Sequence, residues 1–523
     1  MPRTTSARRL LAAAALLVLT ACRPAPPEPE PEPIEPLPAR SNILLITVDT
    51  LRADHLSSYG YPRATSPNID RLAAAGVRFD QASAQWPKTT PAFASMFTST
   101  YSKDNGNVRK IGTPLSCRFE VLAEVLQHQG YATRAVIANG AVGSELNFDQ
   151  GFDSFIETWK LQATGKIDDP NRAEAVERLA VVQLDQIGRK RPFFLWVHFI
   201  DPHWPYSSPA AWRNRFAGDR HFDPSLRIPV TKGRKSQEMW GIGEGQVEEG
   251  HDDLAFYQAR YDAAIAYTDA QIGKLLDAMR TRGMLEKTLT VLSADHGESL
   301  GDHGYYFDHG RFGFQTCLRV PLIVNYPGVI APGVDRSPAE LIDLAPTLIE
   351  ATGAPLGNGV WMQGQSLTPR LRGRSAPRAR QAGPDAATHP GYAFSEAGTE
   401  LNNHWQKIVR DQRFKLIYAQ MLPDQRWLGG EGVQFILYDL VNDPLETKNV
   451  AAQFPQEVER LKRVLWQWEH APRFDVMTKP SNEGCSEQRP MDPKTIEQLY
   501  SLGYLGRSGG SPGSAGSAGS AGR

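Results

Sequence analysis

Five short, nearly continuous apolar runs constrain the fold of this chain more than any other feature of its sequence. They are Asn42–Val48, Tyr131–Ala138, Phe193–Phe199, Thr288–Ser293 and Pro321–Asn325. A run without polar alternation is typical of a strand that is buried on both faces of a sheet. Helical patterns lie between the runs, so we predict an α/β fold in which helices flank a mostly parallel central sheet.

Two helical patterns are the clearest. In residues 254–282 apolar side chains recur every three or four positions, and Gly283 follows as a stop signal. A second helix is predicted at about 118–129, ending at Gly130 just before an apolar run. Both lengths suit helices that cover one face of a sheet.

The segment 393–505 differs from the rest of the chain in its pattern of apolar residues. Short runs at Lys407–Val409, Phe414–Tyr418 and Phe435–Tyr438 are typical of antiparallel strands, and Gln456–Trp468 is predicted as an amphipathic helix. We therefore predict a main domain over 41–392 and a smaller antiparallel subdomain over 393–505.

The first 22 residues predict an export signal. Arginines precede an apolar stretch, residues 10–19, that is too short to span a bilayer. The stretch leads into the sequence LTAC, which resembles the lipobox of bacterial lipoproteins and ends at Cys22. We expect Cys22 to carry a lipid that anchors the protein in the bacterial cell envelope, at the outer membrane or facing the periplasm. An ordinary secretory signal with an incidental cysteine is the alternative.

Composition limits the remaining segments and the class of partner. Residues 23–40 alternate proline and glutamate, which predicts an extended spacer, and residues 506–523 are a Gly/Ser/Ala tail that we expect to be disordered. The net charge of -1 gives no support to nucleic-acid binding. Cys117, Cys317 and Cys485 match no zinc motif and allow at most one disulfide; buried thiols are the favoured interpretation.

Residues capable of chemistry follow three of the apolar runs. Asp49 ends the first run, Asp295 and His296 end the fourth, and the third leads to His203. Ligands bind beyond the carboxyl ends of parallel strands. Two carboxylates and one imidazole suit Zn²⁺ or Mn²⁺ better than Ca²⁺ or Mg²⁺, so we predict one divalent metal ion there. A single aspartate after a strand is more often a helix cap, and His198, inside the third run, is expected to be a core histidine.

A second chemical element is the sequence WPKTTPAFASMF at 86–97. Pro91 suits the first turn of a helix, which puts Thr90 at the N-cap and Thr89 just outside the helix. A hydroxyl that also binds a metal ion can attack an ester. The alternative is that both threonines only cap the helix, and the local sequence by itself favours that alternative.

Motifs spread from about residue 41 to 505 change this balance because they resemble, in order, those of sulfatases in the alkaline phosphatase superfamily. They are DTLRAD at 49–54, SPNIDRLA at 66–73, DPHWPY at 201–206, SADHGE at 293–298, HG at 309–310, RVPL at 319–322, YDL at 438–440 and LGY at 502–504. The resemblance implies a sulfatase-type fold and a metal-dependent hydrolase of sulfuric or phosphoric esters. Its substrate would be a sulfated or phosphorylated glycan, lipid or small molecule.

The resemblance also implies roles for individual residues. Thr89 occupies the position of the nucleophile. His203 resembles the histidine that protonates the leaving oxygen, and His309 resembles a second histidine that contacts the anionic group. The residues that the resemblance places at the metal ion are Asp49, Thr89, Asp295 and His296.

The chain departs from the formylglycine-dependent sulfatases at the nucleophile. Those enzymes carry Cys or Ser, any residue, then Pro-Ser-Arg, whereas this chain has TTPAF at 89–93. Threonine cannot give the aldehyde because its β-carbon bears a methyl group. Phe93 replaces the arginine, and Asn139-Gly140 stands near the place of the usual Lys-Trp-His stretch.

An Asp, Thr, Asp and His set resembles instead the single-metal site of phosphoethanolamine and glycerolphosphate transferases, in which the threonine attacks a phosphodiester. Three functions therefore stay open. They are a hydrolase of sulfuric or phosphoric esters, a phosphodiesterase or phospho-group transferase that acts on envelope lipid or glycan, and a catalytically inactive anion-binding lipoprotein.

Overall fold

All five apolar runs form strands of one sheet in the computed structural model. The structure describes residues 37–106, 112–164, 172–188, 191–219, 221–233, 240–353, 362–373, 391–399, 404–421, 432–471, 486, 489–502 and 504. Cys22, Cys485, the predicted signal peptide, the predicted C-terminal tail and most of the predicted spacer lie outside these ranges. Within these ranges, we find no helix with the length and apolar character needed to cross a membrane.

The central sheet has nine strands among the described residues. They are β1 (Asn42–Val48), β2 (Val77–Ser83), β3 (Ala132–Ile137), β4 (Ser154–Glu157), β5 (Phe193–Phe199), β6 (Thr288–Ala294), β7 (Arg319–Asn325), β8 (Gly333–Asp335) and β9 (Ala339–Glu340). Their order is β8-β2-β7-β6-β1-β5-β3-β4, and β9 also pairs with β2. Only β7 runs antiparallel to its neighbours, β2 and β6, so the prediction of a mostly parallel sheet is confirmed.

The register of the central strands determines where the residues that follow each strand lie. Val48 of β1 pairs with Phe199 of β5 on one side and with Ala294 of β6 on the other. In the next strand, Ile137 of β3 pairs with His198. Because these strands are parallel, the residues that follow β1, β3, β5 and β6 emerge at one edge of the sheet.

Twelve α-helices lie in the part of the chain that the structure describes. They are α1 (Pro67–Ala75), α2 (Thr89–Thr98), α3 (Ser102–Asn105), α4 (Leu122–His128), α5 (Ala173–Gln186), α6 (Ala210–Arg213), α7 (Leu254–Thr281), α8 (Gln315–Leu318), α9 (Leu344–Glu350), α10 (Thr368–Leu371), α11 (Pro455–Glu469) and α12 (Pro493–Ser501). Helix α7 agrees with the predicted span 254–282. Helix α4 begins later than predicted, since the Glu124 carboxylate caps the backbone N–H of Val121 at 3.0 Å.

A second, antiparallel sheet follows in the C-terminal part, as predicted. Its strands, in spatial order, are β10 (Ala393–Thr399), β11 (His404–Arg410), β12 (Phe414–Met421) and β13 (Gly432–Asp439). Helix α11 packs on β11 and β12, whereas α12 contacts the segments 140–142 and 158–164 beyond the ends of β3 and β4. The boundary between residues 392 and 393 stays a prediction.

The cysteines differ from the favoured interpretation of buried thiols at one position. Cys317 is a free, buried thiol, but Cys117 is disulfide-bonded. Disulfide formation requires two β-carbons at a specific separation, which spacing in the sequence cannot show.

Candidate active site

Asp49, Asp295 and His296 meet at the edge of the sheet that the register defines. Each offers one ligand atom, and these atoms lie within 4.8 Å of one another. All three side chains are fully buried, with exposed fractions of 0%. Residues separated by some 250 positions in the sequence are thus brought together because β1 and β6 are adjacent and parallel.

The polar atoms of this cluster fit a divalent cation. Asp49 Oδ1 and Asp295 Oδ2 have no hydrogen-bond partner in the described part of the chain. His296 Nδ1 donates to the Gly297 carbonyl oxygen at 2.9 Å, so the lone pair of this imidazole is on Nε2. That nitrogen lies 3.3 Å from Asp295 Oδ2 and 4.0 Å from Asp49 Oδ1. Three electron-pair donors that face one another in a buried space form a set that a shared divalent cation would stabilise.

The electrostatics of the cluster point the same way. Burial acts to raise the pKa of Asp49, but His198, whose Nε2 lies 3.5 Å from Oδ2, and the other nearby histidines lower the pKa to about 2. Burial and the charge of Asp49 raise the pKa of Asp295 well above its usual range. Burial also lowers the pKa of His296, which keeps the imidazole neutral and able to bind a metal ion.

The Thr89 hydroxyl lies next to this cluster. Its Oγ1 is 3.2 Å from His296 Nε2, and the side chain is fully buried. The predicted capping arrangement is wrong by two residues, because α2 begins at Thr89 and its N-cap is Lys88, not Thr90. Pro91 is tolerated at the third helical position since the first N–H groups of a helix have no partner within it. The Thr90 hydroxyl is not part of this cluster: it donates a hydrogen bond to the Ala141 carbonyl oxygen at 2.7 Å.

Two further histidines, His203 and His309, complete the group that the sequence singled out. His203 Nδ1 donates to the Trp204 carbonyl oxygen at 2.6 Å, while its Nε2 has no partner within the described ranges. The His309 ring lies 5.2 Å from that of His203 and 4.3 Å from that of His296, between centroids. Burial lowers the pKa of His203, although Asp49 opposes the shift. Burial and the other two histidines lower the pKa of His309 well below its usual range.

Three residues that the sequence did not assign to the site also contact it. Asn139 Nδ2 donates to Asp49 Oδ2 at 2.5 Å and to the Tyr504 hydroxyl at 3.1 Å. The Tyr504 hydroxyl is 2.8 Å from Thr89 Oγ1. His198, expected to be only a core residue, places Nε2 3.5 Å from Asp49 Oδ2. Asn139 could have been found because it follows β3, and Tyr504 ends the LGY motif, to which the sequence analysis gave no role in the site.

Phe93 shows what replaces the arginine of the formylglycine motif. Its side chain is fully buried, and its ring lies 5.1 Å from the ring of Trp196 and 4.9 Å from that of His198. In this chain the position is therefore part of the apolar core.

Comparisons with known proteins cover the same region as the motifs. The profile of the family described as Sulfatase matches residues 41–354, and that of "N-sulphoglucosamine sulphohydrolase, C-terminal" matches residues 301–470. A choline-sulfatase of Rhizobium meliloti (strain 1021) is 26% identical over 459 residues, which cover 79% of this chain and 82% of that protein. An N-acetylglucosamine-6-O-sulfatase of Bacteroides thetaiotaomicron is 26% identical over 500 residues, covering 82% and 86%.

Solved structures share the fold. The crystal structure of the phosphonate monoester hydrolase of Agrobacterium radiobacter aligns with a TM-score of 0.63 at 23% identity, covering 86% of this chain and 100% of that one. At that identity the likeness concerns the arrangement of the chain and not the substrate.

Proposed function

Because this chain belongs to the sulfatase family of ester hydrolases, we propose that it cleaves a sulfuric or phosphoric ester with Thr89 as the attacking group. One contact supports this most directly: Thr89 Oγ1 lies 3.2 Å from His296 Nε2, beside the buried ligand set of Asp49, Asp295 and His296. These residues would hold a single divalent cation. Two carboxylates and an imidazole favour Zn²⁺ or Mn²⁺, with Ca²⁺ or Mg²⁺ as alternatives.

The proposed reaction has two steps. Thr89 Oγ1 gives its proton to solvent and bonds to phosphorus or sulfur while the bond to the leaving oxygen breaks, and protonated His203 gives that oxygen a proton. Water then gives a proton to His203 and bonds to phosphorus or sulfur while the bond to Thr89 Oγ1 breaks, and Thr89 regains its proton from solvent. A bound divalent cation would lower the pKa of the hydroxyl and stabilise the negative charge of the transferred group. His309, packed between His203 and His296, is placed to contact that group.

The nucleophile favours phosphorus over sulfur. An ordinary hydroxyl leaves a sulfate ester that hydrolyses slowly without the aldehyde hydrate of formylglycine enzymes. The family context favours sulfate, since the choline-sulfatase and the N-acetylglucosamine-6-O-sulfatase are 26% identical to this chain over the 459 and 500 aligned residues. The second candidate is a phosphodiesterase or phospho-group transferase that acts on envelope lipid or glycan. The threonine at position 89 favours this candidate, because an ordinary hydroxyl suits transfer of phosphorus better than transfer of sulfur.

Metal analysis and a matched pair of variants test the proposal. Purified protein is assayed for bound metal and for turnover of an aryl sulfate, a phosphate monoester, a phosphodiester and a phosphonate monoester. Thr89→Ala should abolish turnover. Thr90→Ala removes only the hydrogen bond to the Ala141 carbonyl, so this variant should keep its turnover. An active Thr89→Ala would remove Thr89 from the mechanism. Wild-type protein that binds no metal and turns over none of the four would instead support an anion-binding lipoprotein.

We also propose that the protein is exported and anchored to the cell envelope through a lipid on Cys22. The lipobox-like sequence supports this, and so does disulfide-bonded Cys117, since disulfides persist in oxidising compartments. Lipid labelling in cells tests it. Cys22→Ala should lose the label and leave the membrane fraction, and a labelled Cys22→Ala protein would contradict the proposal.

A further inference from the structure

The hydroxyl of Tyr504 lies beside the proposed nucleophile. Its oxygen is 2.8 Å from Thr89 Oγ1 and 3.1 Å from Asn139 Nδ2. Its ring lies 5.3 Å from the ring of His203, between centroids. The Tyr504 side chain therefore contacts three residues of the site: the proposed nucleophile Thr89, Asn139 next to the proposed metal ligands, and the proposed acid His203.

The direction of the hydrogen bonds follows from the proposed reaction and from Asn139. Thr89 Oγ1 gives up its proton before it attacks, so it accepts the hydrogen of Tyr504. Asn139 Nδ2 can only donate, so it donates to the Tyr504 oxygen. The phenol hydrogen is thus directed at Thr89 Oγ1, the atom through which the proposed reaction proceeds.

Helix α12 fixes Tyr504 relative to the site. On that helix, the Gln498 side chain accepts from the backbone N–H of Gly140 at 2.6 Å and donates to the Ala138 carbonyl at 2.8 Å. Ala138 and Gly140 flank Asn139, so the same contacts hold the group that orients the phenol. A donor that is positioned before the reaction needs no reorganisation during it.

The transferred group needs such a donor. A sulfuryl or phosphoryl group carries negative charge on its oxygens, and the Phe93 side chain, on the helix that begins at Thr89, belongs to the apolar core. We propose that Tyr504 is a catalytic residue whose hydroxyl donates a hydrogen bond to an oxygen of the transferred group as that group joins Thr89. Asn139 holds the hydroxyl in position. No bond to Tyr504 forms or breaks, and the inference rests on Thr89 being the nucleophile.

Tyr504→Phe removes the hydroxyl and keeps the ring. We expect kcat to fall about 10²- to 10³-fold, the typical loss for one donor to a developing oxyanion, with little change in KM. Tyr500→Phe is the matched control, since Tyr500 lies on α12, four residues before Tyr504, and is 36% exposed. It should keep the wild-type kcat. The bound metal and the melting temperature should be unchanged in both variants.

Each other outcome overturns the assignment. A wild-type kcat in Tyr504→Phe would show that the hydroxyl donates nothing to the reaction, and an increased kcat would show that it blocks Thr89. A loss of bound metal would mean that Tyr504 acts on the structure of the site. An inactive Thr89→Ala combined with a fully active Tyr504→Phe would overturn only this inference. An active Thr89→Ala would overturn the proposed function itself.

Discussion

Asn139 allows the proposed metal site to be tested through a residue outside the proposed ligand set. Its Nδ2 donates a 2.5 Å hydrogen bond to Asp49 Oδ2, and both side chains are fully buried. Asn139→Ala removes this hydrogen bond. Asp49 Oδ1, the other oxygen of that carboxylate, is then no longer held towards Asp295 and His296. A hydrogen bond to a charged group contributes about 1.5–3 kcal/mol. Since about 1.4 kcal/mol is tenfold in affinity, we expect cation binding to weaken about 10- to 150-fold.

The measurement is a competitive titration of chelator-stripped protein with Zn²⁺ and with Mn²⁺, at fixed pH and ionic strength. Asn325→Ala is the matched control, since it loses a buried hydrogen bond from Nδ2 to the Ala75 carbonyl at 2.6 Å. Asn325 pairs with Thr290, well before Asp295 along the neighbouring strand, so its loss should leave the cation affinity unchanged. Wild-type affinity in Asn139→Ala, or an equal loss in both variants, would refute the reasoning.

Three further predictions concern the acid, the metal ligands and the C-terminal sheet. His203→Ala should slow esters with poor leaving groups about 10²- to 10⁴-fold and those with good leaving groups much less; an equal loss across a series of phenol and alkyl esters would exclude it as the acid. Cation affinity should rise with pH, because burial and Asp49 raise the pKa of Asp295 and its proton must leave before the cation binds; titrations over several pH values check this, and a flat profile would contradict it. Lys415→Ala should cost about 3–5 kcal/mol of unfolding free energy, because it leaves the buried Glu446 carboxylate, 2.6 Å away in the wild type, without its charge partner; denaturant unfolding measures the loss, and one below about 1 kcal/mol would exclude it.

The sequence could predict those parts of the fold and site that depend on burial and chain direction. Strands buried on both faces, such as β1 and β5, leave apolar runs that need no knowledge of their neighbours. The parallel arrangement then places Asp49 and Asp295 at one edge. The family resemblance drawn from the motifs is confirmed, and so are the α/β class and the antiparallel C-terminal sheet.

The parts that were missed depend on packing between distant segments. Strand β2 alternates buried and partly buried residues, so its sequence lacks the apolar run that marked the others. Tyr504 and Thr89 are separated by 415 positions, and only the docking of α12 beyond β3 brings their hydroxyls together. The start of α2 at Thr89 could not be predicted, because a proline is tolerated at any of the first three helical positions, and Pro91 is at the third.

Acid-quenched mass spectrometry of the protein during turnover tests the central claim that Thr89 attacks the ester. The protein is mixed with a phosphodiester or an aryl sulfate, quenched, digested and fragmented. We predict one added phosphoryl or sulfuryl group on Thr89, absent in Thr89→Ala and retained in Thr90→Ala. An adduct on another residue, or wild-type turnover by Thr89→Ala, would contradict the account.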